Sequence, residues 1–323
     1  MARFFGFKVE NSTSRSANEI QFIKSIDVCL LRTYLIATVL NKFIMLYYID
    51  TNGLYNIRKI DSNKIKSCFT SIMAILELVS GITEKTFKKR KAILNMVFSY
   101  GITIDYAFPE EIIYNSFDYF EEYDFIEQRE DSIIQLVNTV IKSEDYLDYT
   151  QSIAYNSEMG HEYFKQIDEN LAVNFRMSTN KGTKELKMLQ KNNSPENIVT
   201  FNGINYDLNT SNGLEAAFPF LSISATIEAM ATMIVNLSPL KQTPIEDIYS
   251  SYNGLTIIYV MIFSRYCESL LLNSNSPQKN DAIDLLHLLY LKSDYKRYIV
   301  SDDRIFKKFF PENTLPLSVV FNA

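Results

Sequence analysis

Two short apolar runs in this chain each stop abruptly on acidic residues. The first is Met-Leu-Tyr-Tyr-Ile at 45–49, followed by Asp50. The second is Tyr-Ile-Val at 298–300, followed by Ser-Asp-Asp at 301–303. Short apolar runs that end in turn residues are typical of buried strands. In an open α/β sheet, ligands bind at the carboxyl ends of the strands. The pattern therefore predicts two buried strands whose ligand-binding ends carry acids.

Around these strands, apolar residues recur mostly with helical spacing. Pro109 suits a first helical turn, while Gly81 suits a helix end and Gly254 a break. One further segment, 101–106, alternates apolar and polar residues and predicts another strand. The predicted helices span 19–42, 61–70, 71–79, 83–98, 131–141, 144–175, 222–237 and 244–272, and others begin near 109 and 280.

Two stretches in the middle of the chain lack this regularity. Residues 118–130 are strongly acidic and aromatic, and residues 177–214 carry the best loop or linker signals in the chain. The first twenty residues are rich in Ser and Asn and predict an irregular arm. No internal repeat is detectable. The sequence thus predicts two strand-forming regions separated by a long, mostly helical middle.

The composition fits a helix-rich globular protein, with 47% apolar residues and only 9 Gly and 8 Pro. Three cysteines, far apart and without CxxC spacing, indicate neither a disulfide framework nor a zinc site. They fit a reducing cytoplasm, which is the expected location. Because His161 and His287 are the only histidines, there is little material for a His-rich metal site or a Ser-His-Asp triad. Metals bound by oxygen fit better, since Asp and Glu are plentiful.

Charge and hydropathy narrow the expected partners. A net charge of −6 argues against a broad electrostatic footprint for duplex nucleic acid, but a local basic rim is compatible with it. The N-terminus lacks the apolar core and cleavage site of a signal peptide. Two apolar stretches, 26–49 and 216–237, are interrupted by charged residues or proline, and charges in mid-segment are costly in a bilayer. We therefore expect buried elements there and no membrane partner.

Three further acids lie at positions where a carboxylate would need a partner or solvent to stabilise it. Glu77 lies in the otherwise apolar Ala-Ile-Leu-Glu-Leu-Val, so it must reach solvent or a partner, because burying it unpaired is costly. Asp281 and Asp284 share a face at the start of a helix, with His287 one turn further on. An exposed helix stripe would explain Glu77, and a cap with an acidic first turn would explain the two aspartates. Carboxylates crowded at strand ends, however, repel one another unless a cation or protons neutralise them.

Four segments together resemble the acidic motifs of PIN-domain ribonucleases, in the order found in that family. The resemblance implies a parallel α/β sheet whose strand ends and one helix gather three or four carboxylates around Mg²⁺ or Mn²⁺. The segments are Ile-Asp-Thr-Asn at 49–52, Leu-Glu-Leu-Val-Ser-Gly at 76–81, Asp-Ala-Ile-Asp-Leu-Leu-His-Leu at 281–288 and Ile-Val-Ser-Asp-Asp-Arg-Ile-Phe at 299–306.

Within these segments the resemblance assigns roles to individual residues. Asp50 matches the first acid of the family and Glu77 the second. Either Asp284 or Asp281 matches the third acid, and either Asp303 or Asp302 matches the fourth. Ser301 falls where the family has a Thr or Ser that supports the metal site, and Asn52 is a second supporting residue.

The resemblance covers residues 44–117 and about 279–310, so the expected catalytic domain is discontinuous. The fold class expected is α/β, with a PIN-like central parallel sheet flanked by helices in 44–117 and 279–323. A mostly helical insertion would fill 118–278, and an N-terminal arm and helix would occupy 1–43. The 203 residues between Glu77 and Asp281 far exceed what a compact PIN domain uses to join these motifs.

The function implied is a metal-dependent endoribonuclease that hydrolyses RNA phosphodiesters at a carboxylate-bound Mg²⁺ or Mn²⁺ centre. Asp50, Asp284 and Asp303 are the expected ligands, and Glu77 would orient a metal-bound water or complete the shell. For each cation named as a contact to the nucleic-acid backbone, the alternative is a solvated helix face. These candidates are Lys88, Lys89, Arg90, Lys296, Arg297 and Arg304.

Two other functions remain open on the sequence alone. A PIN-like scaffold could bind nucleic acid or a protein partner without cleaving it, although retention of all four acids counts against this. A structure-specific DNA nuclease would share the same acid geometry, but the negative net charge counts against it. RNA is therefore the expected partner and DNA the alternative, while a homodimer and an inhibitor protein are left open.

Overall fold

The computed structural model of the chain describes residues 45–118, 127–166, 198–201, 203–237, 244–272, 280–294 and 296–322. It also describes isolated positions between 169 and 184 and residues 275, 277 and 278. The predicted helix at 19–42 and the N-terminal arm lie outside the described residues, as do residues 119–126 of the acidic stretch.

Five strands form a parallel sheet in the order β3-β2-β1-β6-β7, and two further strands, β4 and β5, form an antiparallel hairpin. Helices flank the sheet, so the predicted α/β class is confirmed. The strands are β1 (Leu46–Ile49), β2 (Cys68–Ser71), β3 (Thr103–Asp105), β4 (Ile198–Phe201), β5 (Ile204–Asp207), β6 (Arg297–Val300) and β7 (Thr314–Leu315).

The helices alternate with the strands at both ends of the chain and dominate its middle. They are α1 (Thr51–Leu54), α2 (Ile72–Ser80), α3 (Phe87–Ser99), α4 (Pro109–Tyr114), α5 (Glu127–Lys142), α6 (Tyr146–Gln151), α7 (Ser211–Leu237), α8 (Ile245–Ser250), α9 (Ile257–Leu272), α10 (Asp281–Leu286) and α11 (Arg304–Phe309). Short 3-10 turns occupy Ile57–Lys59, Ile65–Ser67, His287–Leu291, Pro311–Asn313 and Leu317–Val319.

The predicted strand before Asp50 is β1, and it lies in the centre of the sheet. It pairs in parallel with β2 on one side and with β6 on the other, where Ile49 lies opposite Val300. A strand covered on both faces needs a continuous apolar run, and Tyr47, Tyr48 and Ile49 are all buried. The chain builds the sheet outwards from β1 in one direction as far as β3, then returns to the other side with β6. The sheet therefore has a topological switch point between β1 and β6, where open α/β sheets bind ligands.

The helix predicted over 61–70 is wrong, because Cys68–Ser71 is strand β2. The acid and serine at 61 and 62 begin a turn rather than a helix: Asp61 Oδ1 accepts a hydrogen bond from Asn63 N at 2.9 Å. The four residues of β2 are fully buried, and Thr70 Oγ1 donates to Ile49 O at 2.8 Å. Packing between β1 and β3 decides the conformation of this short apolar segment, and local helix signals cannot reveal it.

The prediction of a loop over 177–214 is also only partly correct, because β4 and β5 form a hairpin within this stretch. The register pairs Phe201 with Ile204, which leaves Asn-Gly at 202–203 as a two-residue connection. Gly203 has a φ of +78°, a conformation that such hairpins require and that glycine adopts without strain. Asn-Gly is a known hairpin signal, so the sequence did contain the information.

The single helix predicted over 144–175 is wrong, because α6 ends at Gln151 and residues 152–160 form turns. Several other predicted helices are confirmed with shifted ends. Helix α2 begins after Ser71, whose Oγ accepts a hydrogen bond from Ala74 N at 3.2 Å, and it ends at the predicted Gly81. Helix α3 begins at Phe87, because Thr83 and Thr86 bond to each other in a turn just before it. The break predicted near Gly254 separates α8 from α9.

The hydrophobic core runs without interruption from the sheet into the middle of the chain. One cluster of buried residues contains Tyr48 and Ile49 of β1 together with Ile227 of α7 and Ile262 of α9. Within α7, Ser211–Val235 has a mean hydropathy of 1.6 and would be long and apolar enough to cross a membrane, but 56% of this stretch is buried. The middle region thus shares the core of the sheet.

Candidate functional site

A cavity of about 180 Å³ lies where β1 and β6 end, at the switch point of the sheet. All four acids of the predicted set, in the form Asp50, Glu77, Asp284 and Asp303, line it. The other residues that line it are Thr51, Asn52, Tyr55, Arg90, Asn280 and His287.

Asp50 is placed on the cavity wall by the end of β1 and the start of α1. It is 2% exposed and caps α1, with its Oδ1 accepting a hydrogen bond from Gly53 N at 2.7 Å. A side chain at 53 would force its neighbours to shift, because a Cβ there would lie 2.6 Å from Ile49 Cγ2. The Asp-Thr-Asn-Gly sequence therefore turns the chain tightly and fixes the carboxylate at the end of the central strand.

Asp303 is held in place by the two residues that the sequence predicted as supports. Asn52 Nδ2 donates to Asp303 Oδ2 at 2.5 Å, across the switch point between β1 and β6. Ser301 Oγ lies 3.3 Å from the same oxygen and accepts a hydrogen bond from Asp303 N at 3.2 Å. These contacts join the acid that follows β6 to the turn that follows β1.

Glu77 reaches the cavity from α2 and has a partner, as its apolar surroundings require. Its Oε1 lies 2.7 Å from His287 Nε2, and its side chain is 22% exposed. His287 is 2% exposed, and its Nδ1 lies 2.5 Å from Tyr48 Oη. The exposed helix stripe considered for Glu77 is therefore wrong, and His287 acts as a hydrogen-bonding residue.

The structure separates the two members of each undecided pair of acids. Asp281 lies away from the cavity: its Oδ2 accepts hydrogen bonds from Tyr266 Oη and from Gln278 N. Asp284, one helical turn later in α10, lines the cavity. Asp302 is exposed and pairs with Lys307 Nζ at 2.7 Å, so it does not line the cavity either.

Burial and mutual repulsion shift the protonation of the cavity acids. Burial raises the pKa of Asp50 to about 6, with a further contribution from Asp303, against the lowering effects of His287, Ser301 and Gly53. Burial likewise raises the pKa of Asp284 to about 7, and the charges of Asp303, Glu77 and Asp50 add to the shift. A positive charge in the cavity would relieve both shifts.

His287 responds to the same carboxylates in the opposite sense. Burial by itself lowers its pKa, but attraction to Glu77 and the hydrogen bond between the two outweigh burial. Asp50 and Asp284 add to this attraction, so the pKa of His287 lies above its ordinary value. The imidazole thus partly offsets the negative charge of the cavity acids from the side of the core.

Arg90 is the one predicted backbone-contacting cation that lines the cavity among the described residues. Its Nη1 donates to Glu77 O at 2.5 Å and to Leu78 O at 2.8 Å, at the carboxyl end of α2. The guanidinium lies directly against Gly81, where an added Cβ would be 2.3 Å from Nη1. Lys89 lies beside it, with Nζ 4.4 Å from the centre of the Tyr55 ring.

The other predicted cations lie elsewhere on the fold. Lys88 and Arg304 are exposed, and neither lines the cavity. Lys296 and Arg297 stand at the start of β6, which places them at the opposite edge of the sheet from the cavity. Arg297 Nη1 donates to Tyr290 O at 2.7 Å, and its guanidinium packs over the Phe69 ring. Arg297 therefore has a structural role at that edge.

The donor set of the cavity fits a hard divalent cation, because the acids that line it offer oxygen, and Asp50 is buried and Asp284 half-buried among like charges. The acids form a wall and not a closed cage. Among the described residues, no group of three or more His, Cys, Asp or Glu side chains is arranged to hold an ion directly. Mg²⁺ keeps several waters when it binds to proteins. The residues thus suit a hydrated Mg²⁺ or Mn²⁺ ion.

Sequence reasoning predicted Arg90 near the acids but did not identify Tyr48 or Ser71 as residues that support this site. Ser71 carried a usable signal as the cap of α2, whereas Tyr48 looked like any apolar residue of a buried strand. The cavity itself is the basis for assigning a function, because no protein-family model, curated protein or solved structure matches this chain.

Proposed function

We propose that this protein is a metal-dependent endoribonuclease with a PIN-like catalytic domain, which hydrolyses RNA phosphodiesters in the cavity at the switch point. The observation that carries the proposal is the meeting of four carboxylates in one cavity. Asp50, Glu77, Asp284 and Asp303 come from segments up to 253 positions apart and line the same space. Helix caps and solvated faces would not bring these four acids together.

Asp50, Asp284 and Asp303 would hold the ion, directly or through water. When bound, Mg²⁺ or Mn²⁺ supplies a water activated at neutral pH and positive charge for the phosphoryl and leaving oxygens. Asn52 and Ser301 fix the carboxylate of Asp303 by their hydrogen bonds, so this acid does not have to be ordered when substrate arrives.

Glu77 and Arg90 would add two further functions in the cavity. Glu77 is held by His287 at one oxygen, and it would orient the attacking water or complete the metal shell. Arg90 brings a guanidinium to a wall that is otherwise rich in carboxylates. It would bind a phosphate oxygen of the RNA, since guanidinium groups are suited to phosphate recognition.

The test is cleavage of labelled RNA and DNA by purified protein with Mn²⁺, Mg²⁺ or EDTA. We expect RNA cleavage that needs the metal and is lost in Asp50→Asn, while Asp302→Asn, outside the cavity, keeps activity. Cleavage that is indifferent to both EDTA and Asp50→Asn would overturn the metal-nuclease proposal. Preference for DNA over RNA would replace the ribonuclease by a DNA nuclease of the same chemistry.

A second candidate is a PIN-like scaffold that binds nucleic acid or protein without cleaving it. The observation that favours it is the lack, among the described residues, of side chains arranged as a direct metal cage. The same assay separates the two functions, because the scaffold would show metal-independent binding and no cleavage of any tested RNA or DNA.

A further inference from the structure

A chain of hydrogen bonds runs from the buried core to Glu77 on the cavity wall. Ser71 Oγ lies 2.7 Å from Tyr48 Oη, Tyr48 Oη lies 2.5 Å from His287 Nδ1, and His287 Nε2 lies 2.7 Å from Glu77 Oε1. Ser71, Tyr48 and His287 are all exposed by 2% or less. The network is therefore closed to solvent except at Glu77.

The chemistry of the groups decides which atom donates at the cavity end. An ionised carboxylate only accepts hydrogen bonds, so the proton between Glu77 and His287 belongs to Nε2. In neutral imidazole, Nδ1 then accepts from the Tyr48 hydroxyl, and the Tyr48 oxygen accepts from Ser71. Ser71 Oγ in turn accepts from Ala74 N at 3.2 Å. Every donor in this arrangement points towards Glu77.

Protonation of the imidazole would leave the contact with Glu77 in place. Nδ1 would then donate to the Tyr48 oxygen, and the Tyr48 hydroxyl would turn to donate to Ser71. Nε2 donates to Glu77 in both states. The contact with the cavity carboxylate thus does not depend on the charge of His287.

The network is also rigid, because its aromatic members are packed on several sides. The Tyr48 ring stacks on Tyr290 with a centroid distance of 5.9 Å and an interplanar angle of 4°, and it lies 5.3 Å from the Phe69 ring. His287 lies in the 3-10 turn His287–Leu291, all of whose residues are buried. A carboxylate anchored to such a network has few alternative rotamers.

We propose that Ser71, Tyr48 and His287 are positioning residues that hold the Glu77 carboxylate in one orientation on the cavity wall. The proposal rests on the nuclease function, in which Glu77 orients the attacking water or completes the metal shell. Outer hydrogen-bond partners of metal-site residues typically change activity or metal affinity by about 10–100-fold when they are removed. The effect should fall on turnover and not on RNA binding, because the three residues are buried and Glu77 is the exposed end of the network.

The arrangement itself can be tested without catalysis, by NMR of protein labelled with ¹⁵N at histidine. The chain has only two histidines, so His161→Gln assigns the signals of His287. Long-range ¹H–¹⁵N correlations should show a proton on Nε2 of His287, and Glu77→Gln should shift that nitrogen. A His287 ring with its proton on Nδ1 and an unprotonated Nε2 would overturn the proposal, whatever the activity of the protein.

The kinetic test uses variants that differ in which hydrogen bond they keep. His287→Gln places an amide nitrogen near the position of Nε2 and should keep turnover within about threefold of His287, whereas His287→Asn is too short to reach Glu77. Tyr48→Phe and His287→Asn should each lower kcat by about 10–100-fold with little change in KM for RNA. Equal turnover of His287→Gln and His287→Asn would contradict positioning.

A matched control exists elsewhere in the fold. Tyr149 Oη lies 3.2 Å from His161 Nδ1, and both residues are buried far along the chain from the cavity residues. Tyr149→Phe removes the same kind of hydroxyl from the same kind of pair, and it should leave kcat unchanged. If Tyr149→Phe lowers kcat as much as Tyr48→Phe, the loss reflects general packing and the positioning role is wrong. Absence of metal-dependent cleavage by the unmodified chain would instead count against the nuclease, while the NMR result still decides the positioning.

Discussion

Replacing Asp50 with asparagine removes one negative charge from the cavity with almost no change in shape. In metal-free protein, burial raises the pKa of Asp50 from 3.8 to about 6, so the folded state favours the protonated form. Between these two pH values the folded chain binds more protons than the unfolded chain, and stability falls as pH rises. Below pH 3.8 the Asp50 carboxyl does not lower the free energy of unfolding, and above pH 6 its full destabilising effect is present.

The size of this cost follows from the shift of about two units. At about 1.4 kcal/mol per unit, it amounts to roughly 3 kcal/mol at pH 8 and to about half of that at pH 5. Asparagine has no such cost, and its oxygen can still accept from Gly53 N. In EDTA at pH 8, Asp50→Asn should therefore be more stable than the unmodified chain by up to about 3 kcal/mol.

Addition of Mn²⁺ should reverse this order. A ligand present at 1,000 times its Kd stabilises the folded state by about 4.1 kcal/mol, which exceeds the cost of about 3 kcal/mol, and the variant would lose most of that gain. The assay is urea unfolding followed by far-UV circular dichroism at pH 5 and pH 8, with EDTA or Mn²⁺. Asp302→Asn, which alters an exposed acid paired with Lys307, serves as the control and should show neither effect. The reasoning fails if Asp50→Asn is less stable than the unmodified chain at pH 8 in EDTA.

Four further substitutions test the walls of the cavity and one distant site. Gly53→Ala should cost about 1–3 kcal/mol in urea unfolding, because its Cβ would lie 2.6 Å from Ile49 Cγ2; a neutral result would show that the turn can open. Gly81→Ala should displace the guanidinium of Arg90 from Glu77 O and Leu78 O, at a cost of about 1.5–3 kcal/mol for lost charged hydrogen bonds. Arg90→Lys, which lacks the planar fork, should show a similar loss in the same unfolding assay. A loss in only one of the two variants would show that the effect of Gly81→Ala does not come from the hydrogen bonds of Arg90. Burial lowers the pKa of His161, so protons bind the unfolded chain first and stability should fall as pH drops below about 6.5. The unfolding free energy of His161→Gln relative to that of the unmodified chain should therefore rise as pH falls from 7 to 5, and the same pH dependence in both proteins would refute this assignment.

The sequence predicts best where burial restricts the residue type. The apolar run before Asp50 had to be a strand covered on both faces, and it is the central strand of the sheet. The same logic missed β2, since the helix signals at Asp61 were local and the partners that make Cys68–Ser71 a strand lie far away in sequence. Local pattern therefore predicted the centre of the sheet and failed one strand away from it.

The candidate site shows the same division. Asp281 and Asp284 lie on one face by spacing, but α10 begins at Asp281, and its carboxylate turns back to Tyr266 and Gln278 N. The contact between Glu77 and His287 joins residues 210 positions apart, and no local pattern could specify it. Spacing identified which acids to consider, while tertiary contacts decided which of them face the cavity.

The bond between Asn52 and Asp303 joins two residues separated by 251 positions. Ribosomes add about 5–20 residues each second, so roughly 10–50 seconds pass between the synthesis of these two side chains. During that time the growing chain carries Asp50 and Glu77 without Asp284, Asp303 or the strand β6 that completes the switch point. The cavity therefore stays incomplete until residues 284–303 have left the ribosome, which under the proposed nuclease function would protect the messenger RNA and the ribosome that are producing the chain.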